Sequence, residues 1–175
     1  MSDDRDSVSR FLLENLDISG TLVRIGPVWR QMLAGRDYPA NIVQLLGEMT
    51  ATTLLLGDKL KQPGRLTTQL RGSGPLSLLV IDCSQRLQLR SMARCQDVPA
   101  EGTIRELLGQ GQLLLSLELA AMREPYQSIV PLEGETIAEI FEHYTRRSEQ
   151  QAARLLLAAS PTAAAGMLLQ KLPDA

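Results

Sequence analysis

Residues 39–61 read PANIVQLLGEMTATTLLLGDKLK, and this stretch decides the fold. Gln44, Glu48 and Thr52 recur every four positions as a polar stripe, whereas most of the other positions are apolar. A helix that is apolar over so wide an arc has to be covered on several sides. The pattern therefore predicts a long central helix over 39–61 that packs on a sheet.

After this helix the apolar period changes to two, which indicates strands. Strands predicted over 65–71 and 76–82 flank the turn cluster Gly72-Ser73-Gly74-Pro75, a combination typical of a hairpin. A third strand is predicted over 86–95, where apolar or small side chains alternate with polar ones. Further strands are predicted over 112–119, 126–132, 154–159 and 167–172, with a loop over 163–166.

Before the central helix, an apolar side formed by Val8, Phe11, Leu12 and Leu16 predicts a first helix over 6–16. A strand is predicted over 18–25. A short helix follows, with Pro27 in its first turn and Gly35 at its end.

Two capping-box patterns predict later helices, one opening at Thr103 and one at Thr136, each with a glutamate three residues further on. Strands follow one another in series rather than as strand–helix–strand units. The sequence therefore predicts a single α+β domain: a largely antiparallel sheet of about six strands, a long central helix and several shorter helices.

Composition excludes several classes of function. The chain has 175 residues, a formal net charge of −2 and only 3 % aromatic residues, which argues against nucleic acid as a partner. No apolar run reaches the roughly 18 residues of a membrane span, and the acidic start Met1-Ser2-Asp3-Asp4 is unlike a secretory signal. We therefore expect a cytoplasmic protein that binds no membrane.

The sequence offers little for catalysis. His143 is the single histidine, and Gly109-Gln110-Gly111 begins a dinucleotide fingerprint that is not completed. No phosphate-binding loop is present, so ATP-driven work is not supported, and we expect no enzyme. The basic positions Arg86, Arg90 and Arg94 are interpreted as a solvated or ion-paired face.

The two cysteines do not form a metal-ligand pattern. The predicted hairpin pairs Cys83 with about Arg86, and it places Cys95 far along the ladder, opposite about Gly74. A disulfide needs Cα atoms within about 7 Å of each other. Both are therefore expected to be free thiols, and no metal site is expected in this chain.

The remaining feature is a surplus of apolar residues. A plain core explains most of them, and composition alone favours that interpretation. The alternative assigns the remainder to a dimer interface or to a surface that binds unfolded proteins. Such a surface is predicted on the sheet face that the 39–61 helix leaves uncovered; the candidates are Leu76, Leu78, Val80, Leu113, Leu115 and Leu117.

Several segments, in order along nearly the whole chain, carry a family resemblance. They are RFLLEN (10–15), DYP (37–39), the apolar run 45–60, LRGSGPL (70–76), YQSIV (126–130), LEG (132–134), YTRRSEQ (144–150) and AGMLLQ (165–170). Together they resemble the N-terminal core domain of the 33 kDa chaperonin family, the redox-regulated heat-shock holdases.

The resemblance implies a cytoplasmic homodimer of the stress response that binds unfolding client proteins without ATP. Family members continue into a helical linker and a zinc domain with Cys-x-Cys and Cys-x-x-Cys ligands, whose oxidation exposes the client surface. Neither motif occurs here, so residues 1–175 are interpreted as the client-binding and dimerisation domain, with the linker and the zinc switch absent. Zinc is expected only in that missing domain, and no cofactor in this chain.

Two other functions stay open. The chain could be a dimerisation or interaction module that binds no client by itself. It could also be a small-molecule enzyme, with a pocket that gathers polar groups around His143 or Glu133.

Overall fold

The computed structural model describes residues 4–173 and confirms the α+β class. Within that range nine strands form two antiparallel sheets, with strand orders β1-β2-β9-β8 and β5-β4-β3-β6-β7. The strands are β1 Ser7–Leu13, β2 Ile18–Ile25, β3 Gly64–Arg71, β4 Leu76–Cys83, β5 Leu89–Cys95, β6 Gln112–Leu119, β7 Tyr126–Val130, β8 Ala153–Ala159 and β9 Ala164–Lys171. The α-helices are α1 Pro27–Leu33, α2 Ala40–Asp58, α3 Ile104–Leu108 and α4 Ile137–Glu149.

The predicted central helix is α2, and it lies between the two sheets, touching β2, β8 and β9 on one side and β3, β4 and β5 on the other. This double cover is the physical reason for its wide apolar arc. Gly47 allows the close approach, because a Cβ atom there would lie 2.5 Å from the Ala159 Cβ and 3.1 Å from Cζ2 of Trp29.

The three buried threonines of α2 are satisfied by internal hydrogen bonds. Thr50 and Thr52 donate to the carbonyl groups four residues earlier, at 2.7 and 2.8 Å. Thr53 donates to the Met49 carbonyl at 2.8 Å, and its oxygen lies 2.7 Å from the Thr68 hydroxyl on β3. The helix and the five-stranded sheet are thus joined by a buried hydroxyl pair.

The helix predicted over 6–16 is wrong. Ser7–Leu13 is strand β1 and Glu14–Leu16 is a single 3-10 turn that ends at Asp17 in the left-handed conformation. The apolar positions 11 and 13 also fit a period of two, and pairing with β2 lets the Phe11 ring lie over Gly20, where a Cβ atom would clash with it. Tertiary pairing therefore decided a pattern that local periodicity left ambiguous.

The loop predicted over 163–166 is also wrong beyond residue 163, because β9 begins at Ala164. Ala164 and Gly166 lie on the side of β9 that faces α2 and are buried. A Cβ atom on Gly166 would lie 3.0 Å from a Leu55 methyl group and 3.2 Å from the Ala51 Cβ. The segment looks like a loop in composition because close packing against the helix requires small residues.

Both predicted helix starts are confirmed. The Thr103 hydroxyl accepts from the Glu106 N–H, and the Glu106 carboxylate accepts from the Thr103 N–H. On α4 the Thr136 hydroxyl accepts from the Glu139 N–H, but the Glu139 carboxylate accepts from Glu135 instead. The acidic stretch 1–3 and residues 174–175 lie outside the described residues, and none of the described helices meets the length and apolarity needed to cross a bilayer.

Candidate interaction surfaces

The predicted client-binding residues do not lie on one surface. Leu76 and Leu113 are fully buried on the side of the sheet that faces α2, and Leu115 is 8 % exposed on the same side. Leu78 and Val80 point to the opposite side. The strand register between β4 and β5 shifts between Leu76 and Leu78, so the alternation of faces changes phase there. No sequence pattern predicted this irregularity.

The outer side of the five-stranded sheet carries a row of four apolar side chains that crosses the strands and is interrupted by Gln69 in its middle. Met92 stands opposite Val80, Val80 opposite Gln69, Gln69 opposite Leu114, and Leu114 opposite Ile129. Ile129 is 60 % exposed and Met92 is 37 % exposed. We call this surface the five-strand face; its apolar members are Leu78, Val80, Met92, Leu114 and Ile129.

Charged side chains surround this row. Arg94 stands opposite Leu78 and Arg90 opposite Asp82, so these two members of the predicted basic face do lie together on the outer side. Arg86 lies in the turn before β5. Arg65, a further cation beside this row, forms an ion pair with Asp82 at 3.4 Å.

The outer side of the four-stranded sheet is more apolar. Leu22 stands opposite Met167, and Met167 stands opposite Leu156, which is 57 % exposed. We call this the four-strand face; its apolar members are Phe11, Leu13, Ile18, Leu22, Leu156, Met167 and Leu169. The β8 edge of this sheet is partly covered, because the Glu142 carboxylate on α4 accepts from the Leu155 N–H at 2.8 Å. The β1 edge pairs with β2 alone.

A cleft of about 520 Å³ opens between the two sheets at the end of α2. Its apolar wall includes Leu115 and Leu117, two of the predicted candidates, together with Leu56, Leu60, Leu66, Tyr126 and Tyr144. At the rim Glu149 accepts from Lys59 through both carboxylate oxygens at 3.1 Å, and from Gln170 at 2.9 Å. We call this the interlayer cleft; neither His143 nor Glu133 lines it.

The groups considered for chemistry lie apart. Among the described residues no three His, Cys, Asp or Glu side chains are arranged to hold a metal ion. The His143 Nδ1 is buried without a hydrogen-bond partner, and Glu133 forms an ion pair with Arg147 at 2.9 Å.

Both cysteines are free in the structure. Cys83 is buried, and burial, followed by the charge of Asp82, raises the pKa of its thiol to about 11. Cys83 pairs with Leu89 and Cys95 with Leu76, at opposite ends of the β4–β5 ladder. The two thiols therefore cannot ligate one zinc ion, and the described residues do not fit a zinc site.

Fold and surfaces together define an α+β domain built around one central helix, with apolar surface exposed on both sheets and between them. The model of the family described as Hsp33 protein matches residues 6–175. The chain belongs to this family of chaperones, which confirms the resemblance found in the sequence.

Two curated relatives are 33 kDa chaperonins. The one from Cronobacter sakazakii is 43 % identical over 173 residues, which cover 96 % of this chain, and the one from Photobacterium profundum is 40 % identical over 174 residues, which cover 97 %. The chain spans 59 % of the length of each. A solved 33 kDa chaperonin from Thermotoga maritima, 21 % identical, shares the fold with a TM-score of 0.77 over 94 % of this chain and 60 % of its own.

Proposed function

We propose that this chain is the client-binding domain of an ATP-independent holdase that acts in the cytoplasm and holds unfolding proteins on the five-strand face. The observation that carries the proposal is the apolar row from Met92 to Ile129, which crosses the sheet and is partly exposed to solvent. Family membership supports the chaperone class, and the exposed row supports the place of binding.

The chemistry of this face suits clients of varied sequence. Burial of apolar surface contributes about 25 cal/mol per Å² without directional demands. Met92 adds a flexible, polarizable side chain that adapts to irregular partners. The arginines around the row, including Arg90 and Arg94, keep the open face soluble and leave the apolar strip narrow.

For assembly we propose a homodimer that forms through the four-strand face. This face is the more apolar of the two, and stable homodimer interfaces are richer in apolar surface than transient ones. The adjacent β1 edge presents unpaired backbone groups, which are a ready template for a second chain. In this arrangement the five-strand face of each copy stays free for clients.

The described residues support no redox switch of their own. The family resemblance assigns zinc to a further domain, and Cys83 and Cys95 lie too far apart to replace it. We therefore propose that the holding activity of residues 1–175 does not depend on oxidation.

Two equally exposed residues allow a matched test, since Ile129 is 60 % and Leu156 is 57 % exposed. Ile129→Asp is expected to lower the suppression of aggregation of a heat-denatured client enzyme, measured by light scattering, while the dimer mass is unchanged. Leu156→Asp is expected to shift the mass toward the monomer, measured by sedimentation, while scattering stays suppressed at equal chain concentration.

If Leu156→Asp lowered the suppression of aggregation and Ile129→Asp shifted the mass toward the monomer, clients would bind on the four-strand face. That result would refute the proposed assignment of clients to one face and of dimerisation to the other. A wild-type chain that forms dimers but leaves client scattering unchanged would instead support the alternative of an interaction module without client binding.

A further inference from the structure

The interlayer cleft continues into a second depression of about 340 Å³, because Leu60 and Lys61 line both. The second depression is also lined by Gly57, Gly64 and Arg86. The combined space thus runs from an apolar section between the sheets to a basic section beside the α2–β3 turn.

Charge is distributed unevenly along this space. The one carboxylate that lines the described part of the interlayer cleft, Glu149, is already paired with Lys59 and bonded to Gln170. Lys61 and Arg86 have no ion-pair partner among the described residues. An anion would therefore meet two available cations at this end and no uncompensated negative charge in the cleft.

We propose that this space binds an anionic single-chain amphiphile, with its carboxylate between Lys61 and Arg86 and its hydrocarbon tail in the interlayer cleft. The volume lies in the range typical of small-ligand sites, about 300–1,000 Å³. Leu60, Leu66 and Leu117 provide contact for a tail, while the two cations select the sign of the head group. The inference is independent of the client surface, which lies on the other side of the five-stranded sheet.

Dodecanoate below its micellar concentration is the probe, and titration calorimetry with the whole chain is the assay. One molecule is expected to bind per chain. Removing two methylene groups, in decanoate, is expected to weaken binding by about sixteenfold, since each buried methylene contributes about fourfold (~0.8 kcal/mol). Acetate, the head group alone, is expected to show no measurable binding.

Lys61 is exposed, so Lys61→Gln is expected to leave the fold intact and to weaken dodecanoate binding by about threefold. The double variant Lys61→Gln/Arg86→Gln is expected to weaken dodecanoate binding by about tenfold. Arg94→Gln, on the five-strand face, is the control and is expected to leave binding unchanged. Tyr126→Ser, at a cleft residue that is 55 % exposed, is expected to weaken binding of the tail.

Dodecyltrimethylammonium carries the same tail with a positive head group. Equal binding of this cation, or an unchanged affinity in the doubly substituted chain, would overturn the proposal in favour of an unselective apolar cleft. Absence of dodecanoate binding by a chain that still suppresses client aggregation would overturn the proposal while leaving the holdase function in place.

Discussion

The buried hydroxyl pair between α2 and β3 makes a quantitative prediction. Thr53 and Thr68 are both fully buried, with their oxygen atoms 2.7 Å apart. The Thr53 hydroxyl has a single proton, which it donates to the Met49 carbonyl at 2.8 Å. Thr68 must therefore be the donor in the pair, and Thr53 the acceptor.

This direction sets different costs for the two substitutions. Thr53→Val removes the acceptor and leaves a buried donor unsatisfied, which is expected to destabilise the fold by about 1–3 kcal/mol. Thr68→Val leaves Thr53 bonded to Met49 and is expected to cost about 1 kcal/mol. With both hydroxyls replaced no buried donor is orphaned, so the double variant is expected to cost less than the sum.

Urea denaturation of the four chains, followed by circular dichroism, measures these free energies of unfolding. The double variant is expected to be destabilised by at least about 0.5 kcal/mol less than the sum of the two single variants. Additive costs, or a Thr68→Val variant more damaging than Thr53→Val, would refute the assigned bond direction.

Three further predictions concern burial. Burial raises the pKa of Glu48, so protonation of this carboxyl stabilises the folded chain below the unfolded pKa, and this contribution is lost as pH rises through the folded pKa. Glu48→Gln is therefore expected to raise the urea midpoint at pH 7 and to have less effect near pH 4. Equal effects at both pH values would contradict this. With a pKa of about 11, Cys83 is expected to react with iodoacetamide at pH 8 about 100-fold more slowly than an unperturbed thiol. It is also expected to react more slowly than the partly exposed Cys95, and mass spectrometry of the labelled peptides measures both rates. Gly47→Ala is expected to destabilise the fold by about 1–3 kcal/mol, although alanine has the higher helix propensity, because the new methyl group would clash with the Ala159 Cβ. Adding Ala159→Gly to this variant is expected to restore part of the lost urea midpoint. Destabilisation without such a rescue would show that the clash lies elsewhere.

Local patterns predicted most of the elements, because their signals are short-range. The wide apolar arc of α2, the turn after β3 and the threonines that open α3 and α4 were all readable from neighbouring residues. The fold class followed from the order of these elements. What periodicity missed was decided by distant contacts, as in β1, which becomes a strand only because β2 pairs with it.

The surfaces were harder to predict for the same reason. A sequence shows which residues alternate but not which face α2 covers, and the register shift near Leu78 reversed the pattern within one strand. Leu114 and Ile129 lie 15 positions apart in the chain and meet only through the pairing of β6 with β7. The division into two sheets, rather than one of about six strands, likewise depends on long-range pairing.

The most direct test of the central claim is the aggregation of a heat-denatured client enzyme, followed by light scattering in reducing buffer without ATP. Residues 1–175 are expected to suppress scattering to the same extent with and without a peroxide oxidant, because the exposed row from Met92 to Ile129 needs no thiol chemistry to reach a client. Scattering that rises as fast as in the absence of the chain, or that falls only after oxidation, would contradict the claim.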